Sequence, residues 1–247
     1  MDSIKKTAAI IQARMGSNRL PGKSMKQISG KNILEHVIHR CKLARKLDEV
    51  CVATSSKDSD DIIFNFCQSN NIPVFRGSEN DVLSRMQQTA EFFQINTIVR
   101  ITADNPLVDP EVIDFMIEKH FNNKAHLTSG YHCKLFPNGT VISVIDLSVL
   151  TYLKKNIFDP DVREHVITDI DKLKEKFRIH IPKVPAKWCR YDLRYCLDTV
   201  SDFELLDKII SHFSESGIEP TTEDIIQYLD THDEVRALNY SDAISGY

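Results

Sequence analysis

The sequence predicts an α/β fold, a mostly parallel sheet with helices on both faces. Two observations carry this. Apolar runs of the kind that form strands buried on both faces recur through the first half of the chain (A-A-I-I-Q-A, E-V-C-V-A-T, T-I-V-R-I-T). Stretches with helical apolar spacing separate them, the pattern of βαβ crossovers. At 247 residues and 42% hydrophobic, the chain can bury a substantial core. With 8 glycines and 9 prolines, it is neither fibrous nor disordered in composition.

Ala8 to Ala13 reads as the first strand and runs into a loop bearing Gly16, Ser17, Asn18, Pro21 and Gly22. Asn32 to Ala44 is a helix with Ile33, Leu34, Val37, Ile38, Cys41 and Ala44 on one face. Glu49 to Thr54 is the second strand, and Asp58 to Gln68 a helix with Ile62, Ile63 and Phe66 inward. Pro73 to Phe75 is a short third strand, Glu79 to Phe93 a helix, and Thr97 to Thr102 a fourth strand. Pro110 opens a helix to about Phe121, as suits proline at a first helical position. In the second half, Val141 to Ile145, Phe177 to Ile181 and Tyr191 to Leu197 read as strands, and Arg163 to Leu173 as a helix. Ser201 to Phe213 and Thr221 to Leu229 are amphipathic helices with Ser or Thr caps. The chain reads as a single domain, 1–247, with 130–185 as a possible inserted lobe for an acceptor or for dimerisation.

A net charge of −4 and a pI near 6.1 argue against nucleic acid as a partner. No segment approaches the roughly 18 apolar residues that span a bilayer, and Met1 to Thr7 lacks a signal core. The expectation is a cytoplasmic chain with no membrane contact. Six cysteines without a C-x-x-C pair predict reduced thiols and no zinc site.

Ligands of such sheets bind beyond the carboxyl ends of the strands, which draws attention to two loops. Gln12-Ala13-Arg14-Met15-Gly16-Ser17-Asn18-Arg19-Leu20-Pro21-Gly22-Lys23 crowds Arg14, Arg19 and Lys23 into ten residues. Guanidinium forks and an ammonium suit a triphosphate, and Gly16 and Gly22 let backbone N–H groups approach one. A P-loop is the near miss. That motif has four residues between its glycines, and Gly16 and Gly22 enclose five. Its lysine must also open a helix, whereas Pro21 and the Ser29-Gly30 turn bracket Lys23.

The second loop follows Thr102 and presents Asp104; a further aspartate, Asp198, stands at another strand-to-helix junction. Mg²⁺ in phosphate-handling sites is held by one or two carboxylates plus phosphate oxygens. An aspartate before a helix ordinarily serves as an N-cap, and at Asp198 capping and metal binding are both open.

Ile11 to Lys23 (I-Q-A-R-M-G-S-N-R-L-P-G-K) resembles the signature of cytidylyltransferases acting on acidic sugars, most closely the subgroup of spore-coat polysaccharide biosynthesis. Phe75 to Leu83, Arg100 to Asp109, Arg163 to Val166 and Leu197 to Thr199 agree in order with that subgroup. The resemblance implies a nucleotide-diphospho-sugar transferase-like fold, a homodimer, CTP and a small acidic acceptor as partners, and Mg²⁺ as cofactor. Arg14 and Lys23 would contact the triphosphate, assisted by Gly16, Ser17 and Arg19. Asp104 and Asp198 would hold Mg²⁺, and Thr102 would contact the nucleotide. The segment Arg76 to Ser78 would line base and ribose, and Gln12 and Ala13 would present backbone to cytosine. Arg163 is the expected clamp for an acceptor carboxylate. His165 is the expected acceptor contact or proton carrier, and Tyr131, Lys134, Arg190 and Arg194 are further candidates. The chain departs from the subgroup after Pro137-Asn138-Gly139, where Val141 and Ser143 stand in place of carboxylates on the acceptor side. Two other classes are weighed. A nucleotide-sugar glycosyltransferase would normally carry a D-x-D pair, which Asp104-Asn105-Pro106 lacks. A non-catalytic nucleotide-binding module would not need both aspartates and Lys23.

Overall fold

The computed structural model describes residues 5–17, 19–167 and 171–240, so Asn18 of the basic loop lies outside the described residues. The first half runs β1 (Thr7–Gln12), β2 (Gln27–Ile28), β3 (Lys31–Asn32), α1 (Ile33–Leu43), β4 (Glu49–Ser55), α2 (Asp61–Ser69), β5 (Val74–Gly77), α3 (Val82–Phe92), β6 (Thr97–Thr102) and α4 (Pro110–Asn122). The second half runs β7 (Leu127–Ser129), β8 (Ser143–Asp146), α5 (Leu147–Asn156), α6 (Pro160–His165), α7 (Asp171–Lys174), β9 (Ile179–His180), α8 (Val200–Glu215), α9 (Thr222–Thr231) and α10 (Asp233–Arg236).

Among the described residues the main sheet has seven strands in the order β5-β4-β1-β6-β8-β7-β9. Only β8 runs against its neighbours. Side chains alternate across the sheet, so successive β1 residues serve two cores. Ala9 and Ile11 pack under α1 and α4 with Val37, Ile113 and Met116. Ala8 and Ile10 pack under α3 and α5 with Leu83, Met86 and Leu150. A third cluster, around Tyr195, Leu206 and Ile225, seats α8 and α9. The helices start where side chains satisfy free N–H groups. Asn32 caps α1 through Glu35 N–H at 2.8 Å and Asp81 caps α3 through Ser84 N–H at 2.8 Å. Thr199 and Thr221 each form a capping box.

The first half follows the sequence expectation closely, with one inward residue corrected. Ile62 is exposed, because α2 turns Ile63 and Cys67 to the core instead. The second half needed more correction. Tyr191 to Leu197 forms no strand. Leu193, Tyr195 and Leu197 alternate inward, which mimics a strand, but their backbone bonds go to loops: Tyr195 N–H to Asn138 at 2.7 Å and Leu197 N–H to Asp104 at 2.8 Å. The helix expected over Arg163 to Leu173 is divided into α6 and α7, with Val166 at φ 67° just past α6. β7 and α5 are additions that the sequence reading did not anticipate. The 130–185 segment contributes β8 and β9 to the main sheet. All six cysteines are free, and burial pushes the Cys41 thiol up to about 12. No described helix is long and apolar enough to cross a membrane.

Candidate active site

The loop after β1 is shaped by its own backbone. Ser17 N–H and Gly22 N–H both donate to the Met15 carbonyl, at 3.0 and 3.1 Å, and Gly22 lies at φ 69° in the left-handed region. Its base is anchored by the buried Asp60, which accepts from Met15 N–H at 2.7 Å. The loop delivers Lys23 to the opening of one 3-10 turn (Lys23–Met25) rather than to a long helix.

Lys23 Nζ donates to Asp104 Oδ2 at 2.7 Å, to Asp198 Oδ1 at 2.8 Å and to the Leu197 carbonyl at 2.8 Å. Three N–H groups thus meet three acceptors. Burial opposes the lysine's charge, yet the charge of Asp104 and the hydrogen bonds to both carboxylates outweigh it, so its pKa lies above 10.5. Burial likewise opposes ionisation of Asp198, but the Lys23 and Arg194 contacts prevail and hold it below the ordinary carboxylate value. Arg194 reaches Asp198 Oδ2 at 2.6 Å and Arg19 reaches it at 3.1 Å. Thr102 Oγ1 donates to Asp104 Oδ1 at 2.5 Å.

The capping question at Asp198 has a structural answer. Thr199 caps α8 in a box with Asp202, and Asp109 caps α4. The side chains of Asp198 and Asp104 are therefore directed to the cluster. Among the described residues no group of three or more His, Cys, Asp or Glu side chains could hold a metal ion. A hard divalent ion at this pair would complete its shell with water or ligand oxygens. Two carboxylates gripping one ammonium are a donor set that fits such an ion.

Two cavities meet at this cluster. The first, of about 410 Å³, is lined by Gln12, Ala13, Arg14, Gly16, Ser17, Arg19 and Lys23 from the loop, with Val82 and Arg85 from α3 and with Arg100 and Thr102 from β6. The second, of about 360 Å³, includes Tyr131, Asn138, Gly139, Val141, Ser143 and Arg194. Arg100, Thr102, Asp104, His165 and Asp198 belong to both walls. Arg14 is paired across the first cavity with Glu164 of α6 at 3.0 Å.

Three expected residues are not brought to either cavity. Arg76, on the edge strand β5, is turned to α2, where it meets Asp61 at 2.6 Å and donates to the Ser55 and Lys57 carbonyls at 3.0 and 2.8 Å. Ser78 is exposed and accepts from Asp81 N–H at 3.1 Å. Arg163 binds Asp81 at 2.8 Å and the Lys154 and Ile157 carbonyls at 2.9 and 3.1 Å. With these contacts in place, Arg76, Ser78 and Arg163 stand outside the walls of both cavities. The backbone of Gln12 and Ala13 is also engaged. The Gln12 carbonyl accepts from Ala103 N–H at 2.9 Å, and Ala13 N–H donates to Ala53 at 3.2 Å. It is the buried Gln12 side-chain Nε2 that has no partner. Arg190 is spent on Asp192 and Asp230.

Arg85 and Arg100 are cationic cavity residues that the sequence reading missed. Each has a buried Nε without a hydrogen-bond partner, and burial pushes each guanidinium down to about 10. The signal for Arg100 was present: a lone cation inside the apolar run of β6.

Gly139 shapes the second cavity. At φ 118° it occupies a conformation that L side chains rarely adopt, and a Cβ there would stand 2.8 Å from the Tyr195 carbonyl carbon. Gly139→Ala is expected to destabilise the fold by about 1–3 kcal/mol, read as a lower urea midpoint with an unchanged m-value.

A family model described as cytidylyltransferase matches residues 8–217. The chain is 33% identical over 218 residues to the spore coat polysaccharide biosynthesis protein SpsF of Bacillus subtilis, covering 85% of this chain and 88% of that protein. Its structure is similar to that of a cytidylyltransferase from Leptospira borgpetersenii, with a TM-score of 0.87 and 30% identity over 94% of this chain and 97% of that one. The structure of CMP:2-keto-3-deoxy-manno-octonic acid synthetase complexed with CTP shares the fold, with a TM-score of 0.63 at 16% identity over 84% of this chain and 99% of that one.

Proposed function

Because the chain belongs to the cytidylyltransferase family and is a CTP-dependent nucleotidyltransferase, we propose that it transfers CMP to a hydroxyl of a sugar acid, with Mg²⁺ as cofactor. One observation carries the reading. Lys23 holds Asp104 and Asp198, from opposite halves of the chain, at 2.7 and 2.8 Å where a cation-lined cavity meets a second one.

In this reading the triphosphate occupies the first cavity and the acceptor the second. The acceptor oxygen forms a bond to the α-phosphorus as the bond to the bridging oxygen breaks, and pyrophosphate leaves. Little covalent work falls to the protein, so positioning and charge neutralisation set the rate. Arg14 exchanges Glu164 for phosphate oxygens, and Lys23 exchanges part of its carboxylate contacts in the same way. Asp104 and Asp198 are the residues that would hold Mg²⁺, which would supply Lewis-acid polarisation of the phosphate. His165, exposed and lining both cavities, takes the proton of the acceptor hydroxyl.

The test is product analysis after mixing the protein with CTP, Mg²⁺ and a panel of sugar acids. The expected products are pyrophosphate and a CMP-linked acceptor. Release of a nucleoside diphosphate would instead indicate glycosyl transfer, and no release with any acceptor would leave only nucleotide binding.

A further inference from the structure

Arg100 is a charge in an unusual place. It sits on β6, an interior strand, opposite Ile10 of β1 and Ser143 of β8. Strand alternation turns it to the same face as Ile98, Ile10 and Leu83, all fully buried. Its Nε is closed off from solvent and has no hydrogen-bond partner.

The other arginines and the lysine lining the two cavities are all engaged. Arg14 has Glu164, Arg19 and Arg194 have Asp198, and Lys23 has both aspartates. Arg85 donates to the Ser78 and Glu79 carbonyls. Among the described residues Arg100 alone of these cations has no side-chain hydrogen bond or ion pair. Burial pushes its guanidinium down to about 10, against the pull of Asp104, and the Asp104 oxygens already serve Lys23 and Thr102. Arg100 is half-buried, with its Nε sealed in a wall that borders both cavities, and a donor left unpaired in such a place is costly.

The second cavity supplies nothing negative apart from the two clustered aspartates. The same cavity is lined by Tyr131, Asn138, Val141 and Ser143, which offer hydroxyls, an amide and an apolar wall. We infer that Arg100 is the specificity-determining residue of the acceptor site, pairing its guanidinium with an anionic group of the acceptor, a carboxylate or a phosphonate. This rests on the reading of the second cavity as the acceptor site and assigns the clamp role to Arg100, since Arg163 lines neither cavity. A planar guanidinium offers two parallel N–H bonds to either anion.

The test compares wild type with Arg100→Met and Arg100→Lys. The probes are 3-deoxy-manno-octulosonate, its uncharged methyl ester and 2-hydroxyethylphosphonate, each followed by calorimetric binding and by pyrophosphate release with CTP. Wild type is expected to prefer one anionic probe over the ester, and which one it prefers identifies the group. In Arg100→Met the Kd or KM for that probe should rise roughly 10- to 100-fold, the range for a charged hydrogen-bonded pair, while the ester is unaffected. Arg100→Lys should recover part of the loss. The unliganded Met variant should melt no lower than wild type, since an unpaired cation has been replaced by an apolar chain of similar length. Equal use of acid and ester by wild type, an undiminished preference in Arg100→Met, or indifference of wild type to both anions would overturn the inference. CTP binding measured alongside separates the two readings. If CTP binds and Arg100→Met behaves as wild type, only the acceptor assignment fails. If CTP does not bind while acid binding depends on Arg100, only the nucleotidyl-transfer reading fails.

Discussion

Lys23→Met is expected to lower kcat/KM for pyrophosphate release by roughly 10²–10³-fold, the scale of losing one preorganised charge from a transition state. The ammonium makes three contacts within 2.8 Å in the free protein, and methionine replaces none of them. A second effect follows from the same geometry. Without the ammonium, Asp104 and Asp198 face each other with their shared cation gone. Asp198 retains Arg194 and Arg19, but Asp104 Oδ2 has lost its partner. The variant should melt below wild type in chelator, and added Mg²⁺ should raise its melting temperature more than that of wild type. Wild-type turnover, or an identical metal response in the two proteins, would mean that Lys23 does not stand where a divalent ion binds.

Asp104→Asn is expected to cost at least about 10²-fold in turnover and to flatten the Mg²⁺ dependence of the residual rate. The substitution removes charge while keeping shape. The amide oxygen can still accept from Thr102 Oγ1, and Lys23 keeps Asp198 and the Leu197 carbonyl. Thermal stability should therefore change little, and that separation of activity from stability is the informative result. A rate curve against Mg²⁺ that overlays wild type would remove Asp104 from the metal site. A large fall in melting temperature would assign it a structural task instead.

The sequence-level reading was most accurate where local pattern and tertiary packing agree. β6 ends at Thr102 as expected, and α1 and α4 begin at their capping residues, because those boundaries follow from apolar period and cap chemistry within a few residues. It failed where inward alternation lacked a strand partner, as at Leu193, Tyr195 and Leu197. A motif, moreover, gives chain position without side-chain direction. Arg76 and Arg163 lie in segments that match the family in order, yet nearby carboxylates and carbonyls draw both guanidinium groups away from the cavities.

The amino-acid sequence by itself determined the alternating α/β layout of the first half, the cation-rich loop from Arg14 to Lys23, and Asp104 at a strand exit. Each is written in consecutive residues and needs only local rules to read. Tertiary structure decided the rest: that Lys23 closes on Asp104 and Asp198, 81 and 175 positions away; that Thr199 rather than Asp198 caps α8; and that the Arg100 Nε ends buried without a hydrogen-bond partner. These depend on distances between segments far apart in the chain. Such distances are set by the sheet order and by competition among neighbouring groups for each hydrogen bond, information that no single stretch of sequence contains.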